Sequence, residues 1–263
     1  MFHRLTPRPV AKPEWGSTQL EPWFPNSQEK IGEMWFEEPD DPLLVKFLFT
    51  TGKLSVQVHP NDAYAREHHN SRGKTEMWHI LAADPGAQIA AGFREPLSED
   101  RLRASALSGE IEQLLAWHDA RPGDTFFIPA GTVHAIGAGL AVCEIMENCD
   151  ITYRLYDYGR PRELHLDDGV RVSFRLPCEP LQNAREGVLV DCPYFTTEKH
   201  RVSGRLHLDS PGLVQTLVIL DGELEISGQP ARCGEVWRAA ATHTPLDLTG
   251  QATFLRVLTP VFC

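Results

Sequence analysis

The chain has 263 residues, with 36 Asp and Glu against 25 Lys and Arg and a formal net charge of −11. That acidity, with no basic run set against it, excludes duplex nucleic acid as an expected partner. Hydrophobic residues at 42% and charged residues at 23% are typical of a folded globular protein and exclude a disordered chain.

The length suits one large all-β domain or two smaller barrels sharing a core. The opening MFHRLTPRPVAKPEW has no apolar leader, and no stretch approaches the roughly 18 apolar residues of a membrane helix. A cytoplasmic protein without a membrane partner is expected. Cysteines at 143, 149, 178, 192, 233 and 263 are scattered, with no CxxC pair. Reduced thiols are expected there, not a thiolate zinc site.

In chain order, short β-rich segments come first: LLVKFLFT (43–50), KLSVQVH (53–59) and TEMWHIL (75–81). Between the last two, NDAYAREHHNSRG reads as a polar loop that leaves His68 and His69 in solvent. The run 98–117, SEDRLRASALSGEIEQLLAW, has helical apolar spacing, with Ser98 as N-cap ahead of two acids. Gly109 divides it into two short helices, and His118 ends the segment. Strands resume in DTFFIP (124–129) and AVCEIMENCDITYRLYDY (141–158). The texture then changes, and VSFRLPCEPLQNAREG reads as a crossover before LVQTLVILDGELEISG and ATFLRVLTPVF. With 20 Gly and 20 Pro as punctuation, the pattern predicts a mainly all-β chain of two barrels. The expected division is 1–170, with the helical insertion near 98–117, and 171–263.

Candidate ligands lie in the first part. Gln57 and His59 are two apart in a strand-like run and share a face, which Ser55 joins. Glu76 opens the next strand. GDTFFIPAGTVH has the spacing Gly-x5-Pro-x-Gly-x2-His and ends in His134. It resembles the second cupin motif, and Gly52-x4-Gln57-x-His59 followed by Glu76 resembles a variant of the first. The fold expectation becomes two cupin, or jelly-roll, barrels. A lone histidine at a strand end is usually a hydrogen-bonded core residue, but here four ligand types fall at four motif positions. Two imidazoles, a carboxylate and an amide oxygen suit Zn²⁺, and acceptably Mn²⁺, Fe²⁺ or Co²⁺. His79 faces away from Glu76 by strand alternation. The second half keeps the glycine of the motif in GEVWRAAATHTP but not its Pro-x-Gly, so no metal site is expected there.

From Cys143 to Arg154 apolar and polar residues alternate. The mostly polar set, Glu144, Met146, Asn148, Asp150, Thr152 and Arg154, lies either in water or along the barrel mouth.

LSVQVHPNDAYA, GKTEMWHIL, PGDTFFIPAGTVHAIG and ENCDITYRLYDYGRPRELH closely resemble the type I mannose-6-phosphate isomerases of the short bacterial kind. The resemblance runs from Trp15-Gly16 to about Gly169. It implies a zinc-dependent cupin that interconverts mannose 6-phosphate and fructose 6-phosphate, with one Zn²⁺ per chain on Gln57, His59, Glu76 and His134. It also implies an active-site arginine at Arg154 and an active-site lysine at Lys74. Cys149 replaces the usual serine, the stretch between Gly32 and Leu43 is abbreviated, and the large helical domain of longer members has no counterpart. These departures bear on substrate identity, not on the ligands.

Such an isomerisation passes through an enediol and needs a titrating base and oxyanion stabilisation. Arg154 stays cationic, which suits charge stabilisation or phosphate capture. Asp150, Lys74 and a hydroxide on the metal are the candidate bases. Ser55, Lys74 and Arg154 are candidate substrate contacts. The implied partner is a small sugar phosphate, and the chain is expected as a monomer or homodimer. Competing readings are an Fe²⁺ cupin dioxygenase, a cupin isomerase for another sugar phosphate, and a sugar-binding cupin without turnover.

Overall fold

The structure is a computed structural model that describes residues 2–39, 41–182 and 187–260. From the N-terminus run β1 (His3–Arg4), β2 (Arg8–Ala11), β3 (Ile31–Phe36), β4 (Leu43–Thr50), β5 (Val56–Val58), α1 (Asp62–His69), β6 (Glu76–Ala83) and β7 (Gln88–Phe93). Next come α2 (Glu99–Ser108), α3 (Ile111–Leu114), β8 (Leu115–Asp119), β9 (Thr125–Ile128), β10 (His134–Ile136), β11 (Leu140–Glu147), β12 (Tyr153–Tyr156) and α4 (Leu166–Val172). The remainder is β13 (Leu181–Gln182), β14 (Gly187–Asp191), β15 (Thr196–Leu208), β16 (Val214–Ile226), β17 (Gln229–Arg232), β18 (Val236–Ala239) and β19 (Leu246–Thr259).

All the strand pairings are antiparallel and form three sheets. The first sheet has the order β13-β9-β6-β11-β4-β3-β2, the second β12-β5-β10-β7-β8, and the third β1-β18-β16-β19-β15-β14 with β17 on β16. Strand alternation sorts their residues into layers. Trp78, Val142 and Leu48 of the first sheet pack against Ile89, Ala91 and Ile136 of the second. Val45, Phe47, Met77 and Ile145 point the other way, against Val218, Leu255 and Val257 of the third. The outer face of the second sheet is covered by Leu102, Ile111 and Val170 of the helices. The expected cupin-type, mainly β architecture with a small helical insertion is what forms. Among the described residues, no helix is long and apolar enough to cross a membrane.

Local chemistry explains the helices. The Ser98 hydroxyl caps α2 by accepting from the Arg101 amide, and Gly109 ends the helix at φ +83°. The helical segment is shorter than expected, because the chain turns extended at Leu115 and pairs as β8 with β7. His118 therefore lies on a strand. The expected polar loop at 61–73 is also corrected. Asn61 caps Tyr64 through its side chain, and residues 62–69 form α1, on which His69 reaches the Tyr153 hydroxyl at 2.5 Å. The alternating run 143–154 is two strands, not one. Asn148 and Cys149 spend their amides on Pro42 and Glu147 carbonyls at 2.8 Å each, which interrupts the ladder. The five cysteines among the described residues are free thiols, and Cys263 lies outside them.

His79 faces away from Glu76, as alternation requires, and meets the third sheet. Its Nδ1–H donates to Thr125 Oγ1 at 2.9 Å, while Lys199 of β15 donates to Nε2 at 3.2 Å. Burial, reinforced by Lys199, holds this imidazole down at about 3. Below an ordinary value of 6.5, the unfolded chain takes up a proton that the folded chain refuses. Stability should thus fall with pH by about 1.4 kcal/mol per unit from this residue. Between pH 6.5 and 5, wild type should lose about 2 kcal/mol more than His79→Gln in urea unfolding. Equal losses would mean that His79 is not held neutral.

Candidate active site

Two rows of side chains face each other across the first and second sheets. On the second sheet, Gln57 pairs with His134 on one side and Arg154 on the other, so the three lie in register on one face. On the first sheet the row is Trp35–Lys46–Glu144–Trp78. Between them lies a cavity of about 360 Å³ that Ser55, Gln57, Lys74, Asp150, Thr152 and Arg154 line together. A larger cleft of about 610 Å³ lies beside α1 and Tyr194 and holds none of the candidate residues.

His59, Glu76 and His134 are each at most 1% exposed, and their ligand atoms lie within 4.8 Å of one another. His134 Nε2 is 3.3 Å from one Glu76 oxygen and His59 Nε2 is 3.7 Å from the other. Each imidazole is aimed by its other nitrogen: His59 Nδ1–H donates to the Ile151 carbonyl and His134 Nδ1–H to the Thr132 carbonyl, both at 2.8 Å. That pattern assigns the tautomer and leaves both Nε2 lone pairs facing Glu76. Gly131, at φ +90°, makes the turn before His134, and its amide donates to the His59 carbonyl at 2.9 Å. The two halves of the cluster are thereby tied through the backbone.

Burial holds His134 down at about 4 and puts His59 well below its ordinary value, so both imidazoles are neutral at physiological pH, as metal binding requires. Burial also pushes Glu76 up, against the pull of Lys74. Neither Glu76 oxygen has a well-formed hydrogen-bond partner, although the Lys74 ammonium is 3.1 Å from Oε2. Lys74 Nζ lies 3.1 Å from both Glu76 Oε2 and His59 Nε2, but among the described residues no cation lies between Glu76 Oε1 and His134 Nε2, two electron-pair donors that repel in a dry site. The residues present therefore fit a divalent ion. Gln57 borders the cluster with its amide nitrogen 3.3 Å from His134 Nε2, and its oxygen accepts from Ser55 at 3.1 Å. A flip of that amide presents the oxygen to the ion, and the Ser55 hydroxyl serves either orientation.

Burial would lower Lys74, but Glu76 and Glu144 outweigh it and hold the ammonium above the usual lysine value. The protein groups alone thus do not provide the lowered pKa that a lysine base requires. Asp150 is exposed, on the loop after β11, and reaches the same cavity as Arg154.

Sequence reasoning passed over Lys46 and gave Glu144 no role beyond a place in the polar set. They are 3.4 Å apart and buried, with Lys46 over the Trp35 ring at 4.3 Å and Glu144 accepting from Trp78 at 3.0 Å. A signal was present, since one charged residue inside each of two apolar strands is costly unless the charges meet. Among the cavity's cations, Lys12, Lys46, Lys74 and Arg162 each have a carboxylate within 4.0 Å. Arg154 has none among the described residues. Its Nη1 donates to the Glu163 carbonyl at 2.8 Å, and its Nε is buried without a partner. Burial and the neighbouring Arg162 weaken its hold on its proton.

Fold and site together define a cupin-type β protein with a buried cluster of two histidines and one carboxylate, suited to a metal ion. No family model matches the chain. It is 37% identical over 199 residues to the mannose-6-phosphate isomerase of Streptococcus mutans, covering 71% of this chain but only 63% of that protein's length. It is 33% identical over 258 residues to the Bacillus subtilis protein described as probable mannose-6-phosphate isomerase GmuF, covering 78% and 82% of the two. The crystal structure of the mannose 6-phosphate isomerase from Bacillus subtilis superposes with a TM-score of 0.84 at 27% identity, over 97% of this chain and 98% of that one. The chain belongs to the mannose-6-phosphate isomerase family, in its type I form.

Proposed function

We propose that this chain is a zinc-dependent aldose–ketose isomerase that interconverts mannose 6-phosphate and fructose 6-phosphate. The observation that carries the reading is one cavity bordered by both the His59–Glu76–His134 cluster and the unpaired guanidinium of Arg154. Family membership supports it. Gln57, His59, Glu76 and His134 would hold one Zn²⁺ per chain. A bound ion supplies Lewis acidity toward a sugar carbonyl or hydroxyl oxygen.

The protein groups do the rest. Arg154, which forms no ion pair among the described residues, attracts the anionic substrate and stabilises negative charge as the enediol forms. Ser55 and Lys74 hydrogen-bond the substrate, and Lys74 serves as a fixed cation. Asp150 takes the proton from C2 of the aldose and returns it to C1, while the hydroxyl proton passes from O2 to O1 so that the carbonyl moves from C1 to C2, with the reverse for the ketose. We also assign residues 1–170 to a metal-bearing barrel and 171–263 to a second one, allowing for β1 on the third sheet and β13 on the first. The reading takes the protein as cytoplasmic, a monomer or homodimer, with a small sugar phosphate as partner.

A coupled assay on several aldose 6-phosphates, with and without chelator, tests the reading. Turnover of mannose 6-phosphate above its epimers, lost to chelator and restored by zinc, is expected. Bound zinc with no turnover of any of them would leave a sugar-binding protein in its place.

A further inference from the structure

The third sheet contributes no residue to the cavity, yet one of its arginines is tied to the wall of the site. Arg238 of β18 is 8% exposed. Its Nη1 donates to Thr216 Oγ1 at 3.0 Å, which fixes it to its own sheet, and its Nη2 donates to Asp41 Oδ1 at 2.6 Å. Its Nε lies 3.3 Å from Glu38. Asp41 belongs to the loop between β3 and β4, where its other contact is the Leu43 amide at 2.9 Å. The Asp41 carbonyl accepts from the Asn148 side chain at 2.9 Å, and the Pro42 carbonyl accepts from the Asn148 amide at 2.8 Å. Asn148 begins the loop from β11 to β12. That loop puts Asp150 and Thr152 on the cavity wall, and its Ile151 carbonyl holds His59 Nδ1–H.

From this path we propose that Arg238 is a positioning residue for the metal cluster. Through Asp41 and Asn148 it sets the 148–152 loop, and the loop sets the His59 ring. The proposal rests on the metal-site reading above. The geometry favours a positional over a merely adhesive role. The guanidinium meets three groups, Thr216 on its own sheet and Asp41 and Glu38 on the loop after β3, a pattern that fixes orientation as well as distance. The third sheet then has a task beyond covering the apolar face of the first, since it determines where a ligand's imidazole points.

The test measures Co²⁺ affinity of the full chain by chelator competition, together with the visible absorption of the Co²⁺ complex and the melting temperature. Three variants interrupt the path: Arg238→Lys, Asn148→Ala, and Arg238→Gln combined with Asp41→Asn, which strands no buried charge. Outer-shell partners of metal ligands usually carry 10- to 100-fold in affinity. Asn148→Ala and the combined variant should lose about tenfold and shift the Co²⁺ band, because they act one bond further out. Arg238→Lys should fall between these and the parent, and Arg232→Gln, on the far surface, should match the parent. If the combined variant does not fold, Asn148→Ala and Arg238→Lys decide the matter. Folded variants that melt earlier but bind Co²⁺ with parental affinity and spectrum overturn the proposal. A parent that binds no Co²⁺ overturns the metal-site reading itself, and this proposal with it.

Discussion

Replacing His134 by alanine should abolish zinc retention and, with it, turnover. The imidazole is at most 1% exposed, is held by the Thr132 carbonyl and points at Glu76 from 3.3 Å. Loss of a ligand should exceed the 10- to 100-fold typical of outer-shell partners, so zinc should dialyse away from a protein that otherwise holds about one ion per chain. If the ion stabilises the transition state by several kcal/mol, kcat should drop about 1000-fold or more. The alanine also opens space beside the Trp78 ring, which lies edge-on to His134 at 5.3 Å. His134→Gln fills most of that space, so it separates loss of the ion from loss of packing. Glu76→Gln is the complementary variant, since it removes the only carboxylate of the cluster but keeps its shape. A His134→Ala protein that retains stoichiometric zinc by elemental analysis would remove the metal centre from the argument.

The metal cluster was legible because motif spacing and strand alternation together determine which way His59, Glu76 and His134 point, and both are local properties of the chain. Alternation likewise separated His79 from Glu76 in β6, and Cys143 and Ile145 from Glu144 in β11. Capping chemistry was legible at Ser98 and Gly109. It was missed at Asn61, where two histidines and a polar run masked a helix whose cap is a single side-chain contact. Long-range bonds were out of reach. The break after Glu147 depends on carbonyls of Pro42 and Asp41, about a hundred residues away, and no periodicity in 143–154 records them. The Lys46–Glu144 pair was missed because each residue looks anomalous alone, and only the pairing of β4 with β11 explains both. The charge state of Lys74 was out of reach for a similar reason. It follows from Glu76, Glu144 and Glu33, of which only Glu76 is close in sequence.

Arg154→Lys should keep zinc and fold while losing most of its turnover. The lysine preserves a positive charge but not a planar fork, so it cannot bond the Glu163 carbonyl and aim a second donor at substrate in the fixed geometry of a guanidinium. Loss of one preorganised donor at developing negative charge typically costs 100- to 1000-fold in kcat. Arg154→Ala should reach the upper end of that range or pass it, because the positive charge is removed as well. Stability should change little. Arg154 makes no ion pair among the described residues, and the hydrogen bond of its side chain there is to the Glu163 backbone carbonyl at 2.8 Å. Relief from Arg162, which disfavours its charge, offsets part of even that loss. Arg162 is the informative contrast, since Asp157 holds it at 2.6 and 2.7 Å. Its removal leaves a carboxylate whose side chain is 1% exposed with Arg160 as its remaining partner, at 2.7 Å, so Arg162→Ala should lower the melting temperature as well as the activity. Kinetics, zinc content and melting should therefore be measured on the same preparations. An Arg154→Lys protein that melts early but isomerises at the parental rate while folded would make Arg154 a structural residue and leave the cavity without its free cation.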